Sequence, residues 1–115
     1  MSVTIYHNPR CSKSRETLAL LESRDVQPEV VEYLKTPISE DTLSALLQKL
    51  GFTSAHQLVR SKETIYKELG LSKDSDEARI RQAMLENPKL IERPIVVKGD
   101  KAAIGRPPES VLDIL

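Results

Sequence analysis

The sequence predicts an α/β domain ordered βαβ–(helical insert)–ββα, a mixed sheet with flanking helices. Three features predict it. A short β-rich run, a helical run and a second β-rich run follow one another between Val3 and Tyr33, the pattern of a βαβ unit. Apolar residues at helical spacing then recur through about residues 38–88. Beyond them the chain returns to strand character, with a turn signal at Gly99-Asp100 between two short runs. The 115 residues read as one domain, 1–115, carrying the helical insert.

Val3 to Tyr6 is the expected first strand, and His7-Asn8-Pro9-Arg10 is a loop because Asn-Pro punctuates the chain. The helix from Ser12 carries Leu18, Leu20 and Leu21 and is expected to end near Arg24-Asp25. Glu29-Val30-Val31-Glu32-Tyr33, set between Pro28 and Pro37, is the second strand. A βαβ crossover of this kind is right-handed, with its strands parallel. In the insert, Leu43, Leu46, Leu47 and Leu50 form one helical stripe, with Ser39 as N-cap and Gly51 as C-cap. Ser54-Ala55-His56-Gln57 has capping-box form and opens a short helix. A brief helix precedes Gly70, and a longer one is predicted from Asp74 or Ser75 to Asn87-Pro88, with Ile80, Ala83 and Met84 facing its core. Pro94 to Lys98 and Lys101 to Ile104 make the hairpin, and Gly105-Arg106-Pro107-Pro108 leads into a closing helix from Glu109 to Ile114.

Composition narrows the function classes. Charged residues are 30% and hydrophobic ones 39%, an ordinary globular balance, while aromatics at 3% make the core aliphatic. Seventeen basic residues balance seventeen acidic ones, so no polyanion-binding surface is expected and nucleic acid is not a predicted partner. No apolar run approaches the ~20 residues that span a bilayer. The N-terminus lacks signal-peptide character, and the chain reads as a cytoplasmic protein, expected to act as a monomer. One cysteine excludes an intramolecular disulfide, and with two distant histidines it makes no metal site. Redox chemistry at Cys11 therefore needs a second thiol from another molecule.

Cys11 stands where the first loop meets the first helix. Unpaired N–H groups and the helix dipole there favour a thiolate, lowering its pKa from about 8.5. His7 and Arg10 lie in the same loop and are expected to add positive charge, and Ser14 offers a backbone N–H and a hydroxyl to the sulfur. A buried structural cysteine is the alternative, but Asn8, Arg10, Ser12 and Lys13 provide no apolar neighbours to bury it.

His7-Asn8-Pro9-Arg10-Cys11-Ser12-Lys13-Ser14-Arg15 resembles the active-site loop of glutaredoxin-dependent arsenate reductases. Arg60, Glu92-Arg93-Pro94-Ile95-Val96-Val97, Gly105-Arg106-Pro107 and Val111 to Leu115 extend the likeness from the first strand to the C-terminus. The resemblance implies a thioredoxin-like fold with a helical insert, in which Pro94 is the cis-proline facing the active cysteine. It implies that Cys11 is the nucleophile, that a histidine at His7 tunes it, and that Arg60, Arg93 and Arg106 bind the arsenate oxyanion. Arginine suits that task because its fork of donors matches a tetrahedral anion. Arg60 is placed by a helical segment that aligns loosely, so Arg79 and Arg81 compete for its role. The resemblance further implies no bound cofactor, glutathione as co-substrate and glutaredoxin as partner.

Two rival readings share the fold. A redox-sensing regulator that binds RNA polymerase would carry C-x-x-C, and Ser14 stands at the second cysteine's position. A glutathione-dependent thiol oxidoreductase acting on another substrate is the second, with the three arginines favouring arsenate. A phosphatase would place its arginine in the loop just after the cysteine, and Arg15 already belongs to the helix. His56 is read as a polar helix residue.

Overall fold

The computed structural model describes residues 2–115. Its regular elements are β1 (Val3–Tyr6), α1 (Ser12–Ser23), β2 (Glu29–Val31), α2 (Glu40–Leu50), α3 (Thr64–Glu68), α4 (Glu77–Glu86), β3 (Ile95–Lys98) and β4 (Lys101–Ile104). Short 3-10 helices cover Ala55–Gln57, Pro88–Leu90 and Pro108–Ile114. Two compact units result: one runs up to Thr36 and resumes at Arg93–Leu115, the other is Pro37–Glu92.

The first unit is built on a four-stranded mixed sheet in the order β2-β1-β3-β4. β1 pairs parallel with β2, Ile5 opposite Val30, and antiparallel with β3, Ile5 opposite Val96. β3 and β4 form the expected hairpin, closed at Gly99 with φ 60°, a value that suits glycine. On one face Val3, Ile5 and Val96 meet Leu21 of α1 and Val111 of the closing helix in a buried cluster. Leu18, Leu20, Val26, Ala103 and Ile114 pack around it. α1 ends where Asp25 takes φ 61°, and Val26 N–H then reaches back to Leu21 O at 2.9 Å, so an aspartate fills the left-handed position that glycine usually holds.

In the second unit the Ser39 hydroxyl accepts from Thr42 N–H and Gly51 closes α2 at φ 75°. Leu43, Leu46 and Leu47 are its buried stripe. α4 buries Ile80, Ala83 and Met84 as predicted. Its carboxylate Glu77 reaches the Ala55–Gln57 turn, accepting from Ser54 Oγ at 2.6 Å and Ala55 N–H at 2.9 Å. A β-bridge between Val59 and Ile91 ties the middle of this unit to its end.

Three details differ from expectation. α4 begins at Glu77, because Ser72 to Ser75 fold into a turn in which Ser75 N–H bonds to Ser72 O and Ser72 N–H to Ser75 Oγ. β2 stops at Val31, since Lys35 N–H and Thr36 N–H turn back onto Glu32 O. The closing helix is of 3-10 type, with two prolines at its start. No helix among the described residues is long and apolar enough to cross a membrane.

Candidate active site

Strand register gathers the sequence's scattered motifs at one end of the first unit's sheet. Tyr6 lies opposite Ile95, and Ile95 opposite Ile104. Carried one residue further, the register lines up His7, Pro94 and Gly105, and Gly105 N–H bonds to Pro94 O at 2.9 Å. Arg93 and Arg106 follow directly on that row. The Arg93-Pro94 peptide is cis, as the resemblance implied, and so is Arg106-Pro107.

The loop after β1 brings Cys11 to the same place. Asn8 organises it: its backbone O accepts from Cys11 N–H at 3.0 Å and its Oδ1 from Arg10 N–H at 3.0 Å. Arg15 braces the turn from outside, donating through Nη1 to Pro9 O at 2.9 Å. Cys11 is the N-cap of α1, in extended backbone, and is partly exposed.

Partial burial alone would push the Cys11 thiol up, yet its pKa is lowered. The Ser14 backbone N–H, a hydrogen bond from the Arg93 side chain, and the charges of Arg93 and Arg106 outweigh burial. The Ser14 backbone N–H is the largest of these lowering influences, and the two arginines add to it. Arg106 has a defined pose: Nε donates to Arg93 O at 2.8 Å and Nη2 to Cys11 Sγ at 3.4 Å.

Two expectations about this loop need correction. His7 does not supply positive charge. It is buried, and burial lowers its pKa, with Arg15 adding to that and Glu32 opposing it. Nor does the Ser14 hydroxyl serve the sulfur, since it faces His7 Nδ1 at 2.7 Å and accepts from Asn8 N–H at 3.0 Å. Arg10 is exposed and is not among the charges acting on the thiol. The sequence predicts the Asn-Pro turn, but not that the Asn8 side chain and carbonyl organise the loop around Cys11.

Arg60 belongs to the second unit. Its backbone N–H bonds to Leu90 O at 2.7 Å, and its guanidinium pairs with Glu92 at 2.8 Å and Glu63 at 3.6 Å. The two competing arginines have other duties. Arg79 donates to Leu69 O, and Arg81 binds Ser44, Glu40 and Glu77. His56 is more than a polar surface residue, because its Nε2 lies 2.8 Å from Ser75 O and ties the Ala55–Gln57 turn to that loop. Among the described residues, no group of three His, Cys, Asp or Glu side chains is placed to hold a metal ion.

Known proteins share this fold. The solved arsenate reductase from Vibrio cholerae superposes with a TM-score of 0.95 at 53% identity, covering 100% of this chain and 98% of that one. The fold is therefore thioredoxin-like. The arsenate reductase of Haemophilus influenzae (strain ATCC 51907 / DSM 11121 / KW20 / Rd) is 53% identical, covering 100% of both chains. The uncharacterized protein YfgD of Escherichia coli (strain K12) is 60% identical over 98% of this chain and 96% of its own length. The sequence profile of the ArsC family matches residues 6–114, from the first strand to the closing helix, and the chain belongs to that family.

Proposed function

We infer that the chain is an arsenate reductase in which the Cys11 thiolate attacks arsenic. The observation that carries this reading is the meeting at one sulfur of a helix N-terminus, Arg93 and Arg106. A thiolate beside two guanidinium groups is both a nucleophile and an anion site.

Arsenate binds to the arginine forks, and the thiolate displaces one of its oxygens, which leaves as water after protonation. Cys11 then carries an As(V) thioester. Arg93 and Arg106 hold the remaining oxygens and offset their charge. The resemblance adds Arg60 as the third arginine; its guanidinium pairs with Glu92 and Glu63 in the second unit. Glutathione supplies the next thiol, forming a mixed adduct. Glutaredoxin completes the two-electron reduction, arsenite leaves, and the Cys11 thiolate is restored. No resident cofactor enters this scheme. A thiol that must stay reduced suits a cytoplasmic location, where glutathione is abundant.

The deciding experiment is arsenate reduction with glutathione and glutaredoxin, each omitted in turn. Full turnover only with both supports the scheme. Turnover of small disulfides without arsenate turnover would instead make the chain a thiol oxidoreductase of the same fold.

A further inference from the structure

We propose that Gly105 is a positioning residue whose missing side chain seats Arg106 on the Cys11 sulfur. Gly105 is not in the left-handed region, so its backbone would accept any residue. The space would not. A methyl group here would overlap Thr17 Oγ1, lie 2.8 Å from Pro94 Cγ and 3.1 Å from Thr17 Cγ2. Contacts under about 3 Å force something to shift, and neither neighbour gives way easily. Thr17 is fully buried on α1 with its hydroxyl donating to Lys13 O at 2.8 Å. Pro94 is a closed ring whose carbonyl already holds Gly105 N–H.

The end of β4 is therefore pressed against α1 and Pro94 as closely as backbone allows. That closeness has a chemical consequence. α1 carries Cys11 at its N-cap, Arg93 precedes Pro94, and Arg106 follows Gly105. The Arg106 side chain spans these pieces, bonding by Nε to Arg93 O and by Nη2 to Cys11 Sγ. Any side chain at 105 pushes Arg106 away from both partners at once, so Gly105 acts through Arg106.

The proposal rests on Arg106 serving the Cys11 site, but its main readout does not need arsenate. The midpoint of iodoacetamide alkylation against pH is measured for the native chain, Gly105→Ala, Arg106→Ala and the double variant, with circular dichroism on each. Gly105→Ala is expected to raise the midpoint toward the ordinary thiol value of about 8.5, as Arg106→Ala does. In the Arg106→Ala background the same change is expected to add nothing, because the group it displaces is gone. Arsenate kcat/KM should fall by roughly tenfold to a hundredfold, the scale of an ångström misplacement. Thr17→Ala removes two of the three crowding atoms, so Gly105→Ala/Thr17→Ala should recover part of the midpoint. An unchanged midpoint in Gly105→Ala, an equal shift with and without Arg106, or no recovery or no folding in the Thr17 pair would overturn the proposal. If the midpoints behave as expected while no variant, nor the native chain, reduces arsenate, then the substrate assignment fails and the positioning role stands.

Discussion

Cys11 has its thiol pKa lowered first by the nearby Ser14 N–H and then by two arginines that sequence places 82 and 95 positions away. Arg93 and Arg106 act at short range against the cost of partial burial. Removing either should raise the alkylation midpoint of Cys11 and lower arsenate kcat/KM about a hundredfold, the scale of losing one oxyanion donor. Lysine at the same position keeps charge without the fork and should be impaired less. Equal losses with arsenate and with a small disulfide would show that the arginines serve the fold instead. His7 behaves differently because its folded pKa is depressed below 6.5, with burial the main cause. A depressed value means that its contribution to stability is present above the unfolded pKa and is lost as pH falls through the folded one. Urea unfolding between about pH 4 and 7 should therefore show a pH slope that is shallower in His7→Ala than in the native chain. The same slope in both chains would count against a buried neutral imidazole.

Helix ends in the second unit rest on side chains that the sequence announces. Ser39 Oγ accepts from Thr42 N–H at 3.1 Å, so Ser39→Ala should destabilise the chain by about 1 kcal/mol, read from denaturant midpoints. Glu77 is less ordinary: despite some burial, its hydrogen bonds to Ser54 and Ala55 and the charge of Arg81 lower its pKa. Its stabilisation is present above the unfolded carboxylate value of about 4.3 and fades as pH falls through the lower folded value. Glu77→Gln should thus destabilise at pH 7 and make little difference in strong acid; a pH-independent loss would argue against a charge effect. Caps, the hairpin and the α2 stripe were legible because each is a local pattern with a local physical cause. The start of α4 was not, because the serines at 72 and 75 can cap a helix or close a turn, and only the folded loop decides. Ser14 shows the same limit at the site. Its position three residues after Cys11 fixes its backbone N–H near the sulfur, whereas its hydroxyl turns to the polar group that the loop after β1 supplies, here His7.

Across the whole chain, the site's unit is drawn from both sides of the insert. β1 and α1 bring Cys11, while β3, β4 and their flanking residues bring Arg93 and Arg106. Motif order made the members legible; their meeting depends on β1 pairing with β3, a contact between residues 89 to 95 positions apart that spacing alone cannot reveal. What the full inventory does settle is electron supply. Reducing As(V) to As(III) takes two electrons, and joining two thiols as a disulfide releases two. This chain has one thiol, so it cannot complete the reaction from its own residues. Purified protein with arsenate and no added thiol should release no arsenite, and Cys11→Ser should be inactive under every condition while keeping its circular dichroism spectrum. With glutathione and glutaredoxin, one oxidised glutathione should appear for each arsenite. The informative exception is a burst of one arsenite per two chains without added thiol. That would mean two copies joined through their Cys11 residues had supplied the electrons, and the requirement for an outside thiol would be wrong.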